Sequence, residues 1–299
     1  MKLNDLLVDT TQNWSRFKPG TYWMAVGFEK TGKTTAFSTF SDKGEDGVLF
    51  LDLEQGVRVN NRIALQITSV YPPYQNSVVI PPIDRGLKDT NGNPIPSISI
   101  VEAIDILEEQ WKDSGKTTVV LDTVDRLSDW CNELALQEIK AEEKLKKNPN
   151  EAILNAVLPE DIPYAQAYIR GRQKVLNIVY SICDIIKDNG LLILPTHLKK
   201  TVTITESREV IIKRVPKLPE GLASQLGYNA EAIVAIEVDN AGKHWADFRG
   251  YSEVIMGTRI EPLNGKKFQW DKAGKNTLYN VLTSVCKKAM EGGNESKKL

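Results

Sequence analysis

The segment Gly27-Phe28-Glu29-Lys30-Thr31-Gly32-Lys33-Thr34 places two glycines, a lysine and a threonine in the spacing G-x(4)-G-K-[ST]. Glycines let the backbone curl so that successive amide N–H groups point inward, and these amides form an anion site with the start of a helix. A lysine in this position reaches the β and γ phosphates of a nucleotide, and the threonine hydroxyl binds Mg²⁺. The spacing predicts ATP and Mg²⁺ binding through Gly27, Glu29, Lys30, Thr31, Gly32, Lys33, Thr34 and Thr35.

A second acidic position follows the apolar run in VVLDTVDRL, residues 119–127. Asp122 ends this predicted strand just before a turn and a helix, which is where a Walker B carboxylate lies. We expect it to hold Mg²⁺ through a water molecule, opposite Thr34. The alternative is that Asp122 only caps the helix that follows.

The residue after Asp122 is Thr123, whereas many P-loop ATPases have a glutamate there to orient the attacking water. A base must therefore come from another element. In LFLDLEQG, residues 49–56, strand alternation places Asp52 and Glu54 on one side. Glu54 is the candidate catalytic base, and a solvated carboxylate before the turn at Gly56 is the alternative.

A third buried strand, LLILPTHLKK at residues 191–200, ends in the polar residues Thr196 and His197. The chain has two histidines and no cysteine near either, which disfavours a zinc site. The next residues, 199–217, form the most basic local stretch of the sequence. Its candidate contacts to DNA or to a neighbouring subunit are Lys199, Lys200, Arg208, Lys213 and Arg214. The alternative is a solvated hairpin whose charges protect a sheet edge.

These residues require strands that end together, and the sequence alternates accordingly. Apolar runs predict strands at 21–27, 48–53, 117–122 and 191–197, and helical periodicity predicts helices at 33–40, 100–112, 124–147 and 161–188. This order predicts an α/β fold with a mostly parallel sheet flanked by helices. A hairpin at 200–214 and antiparallel strands at 230–238, 244–249 and 252–260 follow, then a helix at 274–290.

The domain organisation follows from the breakers and the composition. Residues 1–290 are expected to form a single domain, with a surface insertion at 56–99, and residues 291–299 a disordered tail. The 299 residues contain 38 Lys and Arg against 39 Asp and Glu, so no global field favours nucleic acid or an anionic membrane. Three separated cysteines and no long apolar segment predict a cytoplasmic protein without a membrane partner.

The sequence order of the phosphate loop, LDLEQG, LDTVDRLSDW, LLILPTHLK and GTRIEPLNGKKF resembles the RecA family. In particular, it resembles the phage-encoded RecA-like ATPases associated with single-strand annealing recombination, over most of the chain. The resemblance implies a RecA-like P-loop core in which Glu54 activates water and His197 or Thr196 senses the γ-phosphate. It also implies that the basic hairpin meets DNA or the neighbouring subunit's nucleotide in a ring or filament.

Two functions remain open at this point, and nucleotide binding without hydrolysis is a third option. The first is an ATPase stimulated by single-stranded DNA that acts in recombination or annealing as a homo-oligomer. The second is a RecA-like ATPase switch or loader that acts on protein partners, which the near-neutral charge favours. The chain departs from the family in having no separate DNA-binding domain, and aromatic residues for base stacking are sparse near the hairpin.

Overall fold

A computed structural model of the chain describes residues 17–54, 64–70, 97–204, 210–250 and 256–295. The strands are β1 Thr21–Gly27, β2 Val48–Asp52, β3 Ala64–Ser69, β4 Ser97–Ser99, β5 Thr118–Asp122, β6 Leu191–Ile204, β7 Val210–Pro216, β8 Ala232–Val238, β9 His244–Asp247, β10 Gly257–Thr258 and β11 Lys267–Trp270. The α-helices are α1 Lys33–Phe37, α2 Ile100–Gln110, α3 Val124–Lys144, α4 Glu151–Asn155, α5 Gln166–Ile185, α6 Glu220–Asn229 and α7 Leu278–Glu295.

One sheet organises the described part of the chain, in the order β11-β9-β8-β1-β6-β5-β2-β3-β4. Every neighbour from β8 to β4 pairs in parallel. The strands β7, β9, β10 and β11 pair antiparallel, and all of them follow β6 in the chain. The predicted fold class is confirmed: a mostly parallel α/β sheet flanked by helices, with antiparallel strands added toward the carboxyl terminus.

The sheet is covered on both faces, which is why its central strands read as continuous apolar runs. Along β1, Met24 packs into the core beneath α2, α3, α5 and α6. Its neighbour Trp23 points to the other face, into the core beneath α1 and α7. Both side chains are at most 1% exposed. Two cores on one rigid sheet fix the positions of the strand ends.

The carboxyl ends of the central strands meet at one edge of the sheet. In the parallel register Gly27 of β1 lies beside His197 of β6, and Asp52 of β2 lies beside Asp122 of β5. Strand β6 separates β1 from β5, so His197 lies on a strand that runs between the phosphate-loop strand and the acid-ended strand. The sheet therefore gathers the predicted functional residues.

The expectation that residues 56–99 form a surface insertion is corrected by the structure. Residues 64–69 form β3, which extends the sheet beside β2, and 97–99 form β4 beside β3. Ile67 is fully buried in the core. Residues 65–68 alternate between apolar and polar side chains, but the strand is short and precedes a segment with several prolines, which indicated a surface excursion. Residues 55–63 and 71–96 lie outside the described part.

Several predicted boundaries also shift. The hairpin at 200–214 is confirmed by the antiparallel pairing of β6 with β7. The predicted strand at 252–260 is reduced to β10, and 251–255 lie outside the described residues. The last helix, α7, runs on through Glu295, so the predicted disorder from 291 is wrong for its first five residues, and 296–299 are not described. Among the described residues, no helix is long and apolar enough to cross a membrane.

Replacing Ile67 with alanine tests whether β3 belongs to the core. Because the side chain is fully buried, the free energy of unfolding should fall by about 2–5 kcal/mol, measured by urea denaturation. The matched control is Ile169→Ala, at a side chain that is 51% exposed, where the change should stay within about 0.5 kcal/mol. Equal small effects at the two positions would contradict the placement of β3.

Candidate active site

The phosphate loop joins β1 to α1 in a conformation that requires its glycines. Gly32 has a φ of +87°, in the left-handed region that favours glycine. A Cβ on Gly27 would lie 2.6 Å from the Thr31 hydroxyl oxygen and 2.7 Å from the carbonyl oxygen of Ile236 in β8. The Thr31 hydroxyl donates a 2.9 Å hydrogen bond to the carbonyl of Phe28 and so closes the loop on itself.

Lys33 folds back over this loop and is only 6% exposed. Its ammonium group donates hydrogen bonds to the carbonyl oxygens of Gly27, at 2.9 Å, and Phe28, at 3.0 Å. Burial lowers the pKa of Lys33, and the nearby carboxylates of Asp122 and Asp125 act in the opposite direction. The loop therefore holds a buried cation at its mouth, where an anion would meet it.

Thr34 and Asp122 bring two oxygen ligands together. The Thr34 hydroxyl donates a 2.7 Å hydrogen bond to Oδ2 of Asp122, which is 5% exposed. Burial raises the pKa of Asp122 to about 7, and the hydrogen bond from Thr34 opposes this shift. Hydroxyl and carboxylate oxygens are ligand types that Mg²⁺ takes from a protein. The positive charge near Asp122 does not offset its burial. The pair therefore fits the predicted ion.

Glu54 lies at the end of β2 with its carboxylate partly accessible. The Thr123 hydroxyl donates a 2.8 Å hydrogen bond to its Oε1, and Nδ1 of His197 is 3.9 Å from the same oxygen. The side chain of Glu54 is 39% exposed, so water can reach it. Thr123 thus orients the carboxylate that follows β2.

Asp125 is a functional candidate that sequence reasoning missed. It accepts hydrogen bonds from the backbone N–H of His197, at 3.3 Å, and from its ring Nδ1, at 2.8 Å. Burial alone would raise the pKa of Asp125, but the hydrogen bond with His197 lowers it on balance. The same hydrogen bond raises the pKa of His197. The sequence feature that could have identified Asp125 is its place as the second acid in LDTVD, in the first turn of α3.

The structure separates the two candidate sensors. Thr196 is fully buried, and its hydroxyl has no hydrogen-bond partner among the described residues. His197 lines the cavity and joins Glu54 and Asp125 in a cluster whose ligand atoms lie within 4.8 Å of one another. Of the pair, only His197 reaches the site.

A cavity of about 360 Å³ lies over the phosphate loop. This volume is within the range of small-molecule sites. It is lined by Lys30, Gly32, Lys33, Thr34, Thr35, Glu54, Asp122, Thr123, His197, His244 and Lys272. Glu29 is exposed beside it. No local pattern predicts that His244 or Lys272 joins the site, because their position depends on the pairing of β9 with β11.

The basic hairpin begins at the same edge. Lys200 and Arg214 are a cross-strand pair, and each charged group lies 5.8 Å from the ring centroid of Phe28 in the phosphate loop. Lys199 is exposed on the hairpin. Arg208 and the side chain of Lys213 lie outside the described residues. Two of the predicted cations thus contact the chain's own phosphate loop.

In EDTA, the wild type should lose stability as the pH rises through the pKa of Asp122, and Asp122→Asn should remove this loss. A carboxyl whose folded-state pKa lies above its unfolded value stabilises the fold below the unfolded pKa, and this contribution disappears as pH rises through the folded pKa. With a folded pKa of about 7, the unfolding free energy of the wild type should fall by up to about 4 kcal/mol between pH 4 and pH 8 relative to the variant.

Urea denaturation across this pH range measures the difference, with the exposed Asp105→Asn as matched control. The control should follow the wild type at every pH. Parallel pH profiles for the wild type and Asp122→Asn would contradict the raised pKa of the buried Asp122 carboxyl. Mg²⁺ with ATP should stabilise the wild type and not Asp122→Asn.

Known protein families and solved structures include some that are similar to this chain. A family described as an AAA domain, AAA_24, matches residues 21–260. No curated protein sequence matches the chain. A KaiC-like protein from the hyperthermophilic archaeon Pyrococcus horikoshii is similar in structure, with 11% identity, coverage of 87% of this chain and 89% of that one, and a TM-score of 0.36. The RadB recombinase shows 16% identity, coverage of 85% and 88%, and a TM-score of 0.35. Because the family match spans most of its length, the chain belongs to the AAA domain family AAA_24.

Proposed function

We propose that this protein is a RecA-like ATPase that binds ATP with Mg²⁺ and hydrolyses it. The observation that carries the proposal is the convergence of a buried ammonium, a hydroxyl–carboxylate pair and an accessible carboxylate on one cavity. These are Lys33, the pair Thr34–Asp122, and Glu54. Positioning and electrostatic stabilisation supply most of the catalysis in phosphoryl transfer. These residues are therefore of the types that ATP hydrolysis needs.

Binding of the triphosphate rests on the loop. The backbone amides of residues 27–32 surround the phosphates, and Thr35 supports the α-phosphate. Lys33 exchanges its hydrogen bonds to the carbonyls of Gly27 and Phe28 for charge-assisted bonds to phosphate oxygens. Because the ammonium is already buried, little further desolvation opposes this exchange.

Thr34 and Asp122 would hold the metal. A Mg²⁺ ion held there would supply positive charge that neutralises the charge developing on the phosphates. Burial raises the pKa of Asp122, and the nearby charges of Asp52 and Glu54 raise it further. The hydrogen bond from Thr34 holds both oxygens in place beforehand, so the pair is preorganised for the ion.

Glu54 would act as the base. Its carboxylate takes a proton from a water molecule whose oxygen forms a bond to the γ-phosphorus, while the bond from that phosphorus to the β–γ bridging oxygen breaks. The products are ADP and inorganic phosphate. Thr123 orients Glu54, and Asp125 orients His197 so that its other ring nitrogen is available to the terminal phosphate.

We further propose that the target is single-stranded DNA and that the protein works as a homo-oligomer, as in the phage-encoded annealing ATPases that it resembles. Support comes from the hairpin of β6 and β7, which carries Lys199, Lys200 and Arg214 and starts at His197. Exposed cations on this hairpin suit phosphate contacts. The position of Lys200 and Arg214 over Phe28 connects the hairpin to the phosphate loop.

The second candidate is an ATPase that acts on a protein partner. It is favoured by the formal net charge of −1. It is also favoured by the contacts that occupy two hairpin cations within the chain, with Arg214 additionally 3.9 Å from a carboxylate oxygen of Glu237. In this case the hairpin would transmit the nucleotide state to the partner.

Glu54→Gln should reduce ATP turnover by about 10²–10⁴-fold, because the amide cannot accept the water proton. Affinity for Mg-ATP, measured by calorimetry, should remain close to the wild type. The matched control is Glu45→Gln, at an exposed glutamate before β2, with unchanged turnover. Lys33→Ala should lose nucleotide binding itself. Full turnover in Glu54→Gln would remove this residue from the mechanism.

Single-stranded DNA should stimulate ATP turnover, with affinity that falls as salt rises. Lys199→Ala should weaken DNA binding and reduce the salt slope by about one, while ATP affinity is unchanged. Electron microscopy with ATP and single-stranded DNA should show rings or filaments, absent from Lys33→Ala. Absence of stimulation together with salt-independent binding would favour the protein-partner function.

A further inference from the structure

The cavity has a second wall that the mechanism above does not use. Its elements, β9 and β11, lie on the β8 side of β1, whereas Glu54, Asp122 and His197 follow strands on the β6 side. His244 begins β9, and Lys272 comes two residues after Trp270, where β11 ends. Both side chains line the cavity over the phosphate loop. The phosphate loop therefore lies between two walls of different chemistry.

His244 connects this wall to the loop. Its ring atoms Cε1 and Nδ1 lie 3.4 Å and 3.5 Å from the position that a Cβ on Gly32 would occupy. The ring also packs on the buried Trp270, with centroids 4.8 Å apart. Burial lowers the pKa of His244, and the charge of Lys272 lowers it further. Lys272 is thus close enough for its ammonium to act on a ring in contact with the loop.

Lys272 differs from the lysine of the loop in its surroundings. It is exposed, and it forms no ion pair among the residues that the structure describes. Lys33, in contrast, is buried near the carboxylates of Asp122, Asp125 and Glu54. The carboxylate of Asp271 also acts on the His244 ring, but it does not line the cavity. The carboxylates that line the cavity, Glu54 and Asp122, lie on the first wall, so the positive charge of Lys272 is available to an anion in the cavity.

The sequence position of this lysine adds a second point. The family match ends at residue 260, so β11 and Lys272 lie beyond it. The strand pairing of β11 with β9 then carries this later segment back to the loop. The family sequence pattern does not include the residue, and the fold brings it to the site.

We propose that Lys272 binds the phosphate chain of the nucleotide from the side opposite Glu54, with His244 as the positioning residue that holds this wall against Gly32. The proposal rests on the nucleotide site proposed above and deepens it. An ammonium beside the phosphates contributes to binding of the ground state and the transition state alike, because it lies away from the wall that carries the base. It therefore affects affinity rather than the rate of the chemical step.

Calorimetry with Mg-ATP, Mg-ADP and inorganic tripolyphosphate tests the assignment. Lys272→Ala should lose about tenfold in affinity for ATP and for tripolyphosphate, the lower end for a hydrogen bond to a charged group because the lysine is exposed. Lys272→Arg should retain most of it. The matched control is Lys275→Ala, an exposed lysine three residues later that does not line the cavity, with unchanged affinity.

Steady-state kinetics provide the second measurement. Lys272→Ala should raise KM and leave kcat close to the wild type, in contrast to Glu54→Gln. Unchanged affinity in Lys272→Ala, in a chain whose wild type binds Mg-ATP, would overturn this proposal and leave the ATPase intact. A loss of ATP affinity without a loss of tripolyphosphate affinity would place Lys272 on the nucleoside and overturn the phosphate assignment. Failure of the wild type to bind Mg-ATP would overturn the proposed function instead.

Discussion

The hydrogen bond between Thr34 and Asp122 joins the start of α1 to the end of β5 at the centre of the site. It is made in a place where burial disfavours the carboxylate, and the ammonium of Lys33 only partly offsets this. A charge removed from water without a full partner destabilises the fold by several kcal/mol. In the proposed function, Mg²⁺ would supply the positive charge that stabilises the ionised form of this carboxylate.

Only a rigid sheet can hold such charges together. Asp52, fully buried beside Asp122, accepts hydrogen bonds from the Gln66 side chain at 3.2 Å and from the backbone N–H of Glu54 at 3.2 Å. Gln66 belongs to β3, so this added strand supports the site and does not merely extend the sheet. On the β8 side of the site, the backbone of Gly27 lies so close to β8 that a Cβ would be 2.7 Å from the carbonyl oxygen of Ile236. Packing thus fixes the distances on which the chemistry depends.

The sequence was sufficient for the parts that depend on local pattern. The loop from Gly27 to Thr34, the strand ending at Asp122 and the hairpin could be predicted because spacing and alternation determine them. Asp125 was within reach of the same reasoning, since the first turn of a helix after a strand end faces the same edge. Lys272 was not, because its place in the site depends on pairing between segments that are distant in sequence. Strand β3 was missed because it is short and precedes a proline-rich segment.

The hairpin is attached to the site at both of its ends. Strand β6 passes through His197 and continues without interruption to Ile204, and β7 returns to the same point, where the backbone N–H of Lys217 donates a 2.7 Å hydrogen bond to the carbonyl of His197. Phe28 contacts the hairpin cations from the phosphate-loop side. Because His197 is hydrogen-bonded to Asp125 on α3, the base of the hairpin is held in place by the helix. The contacts of His197 and Phe28 therefore connect the cavity directly to the base of the hairpin.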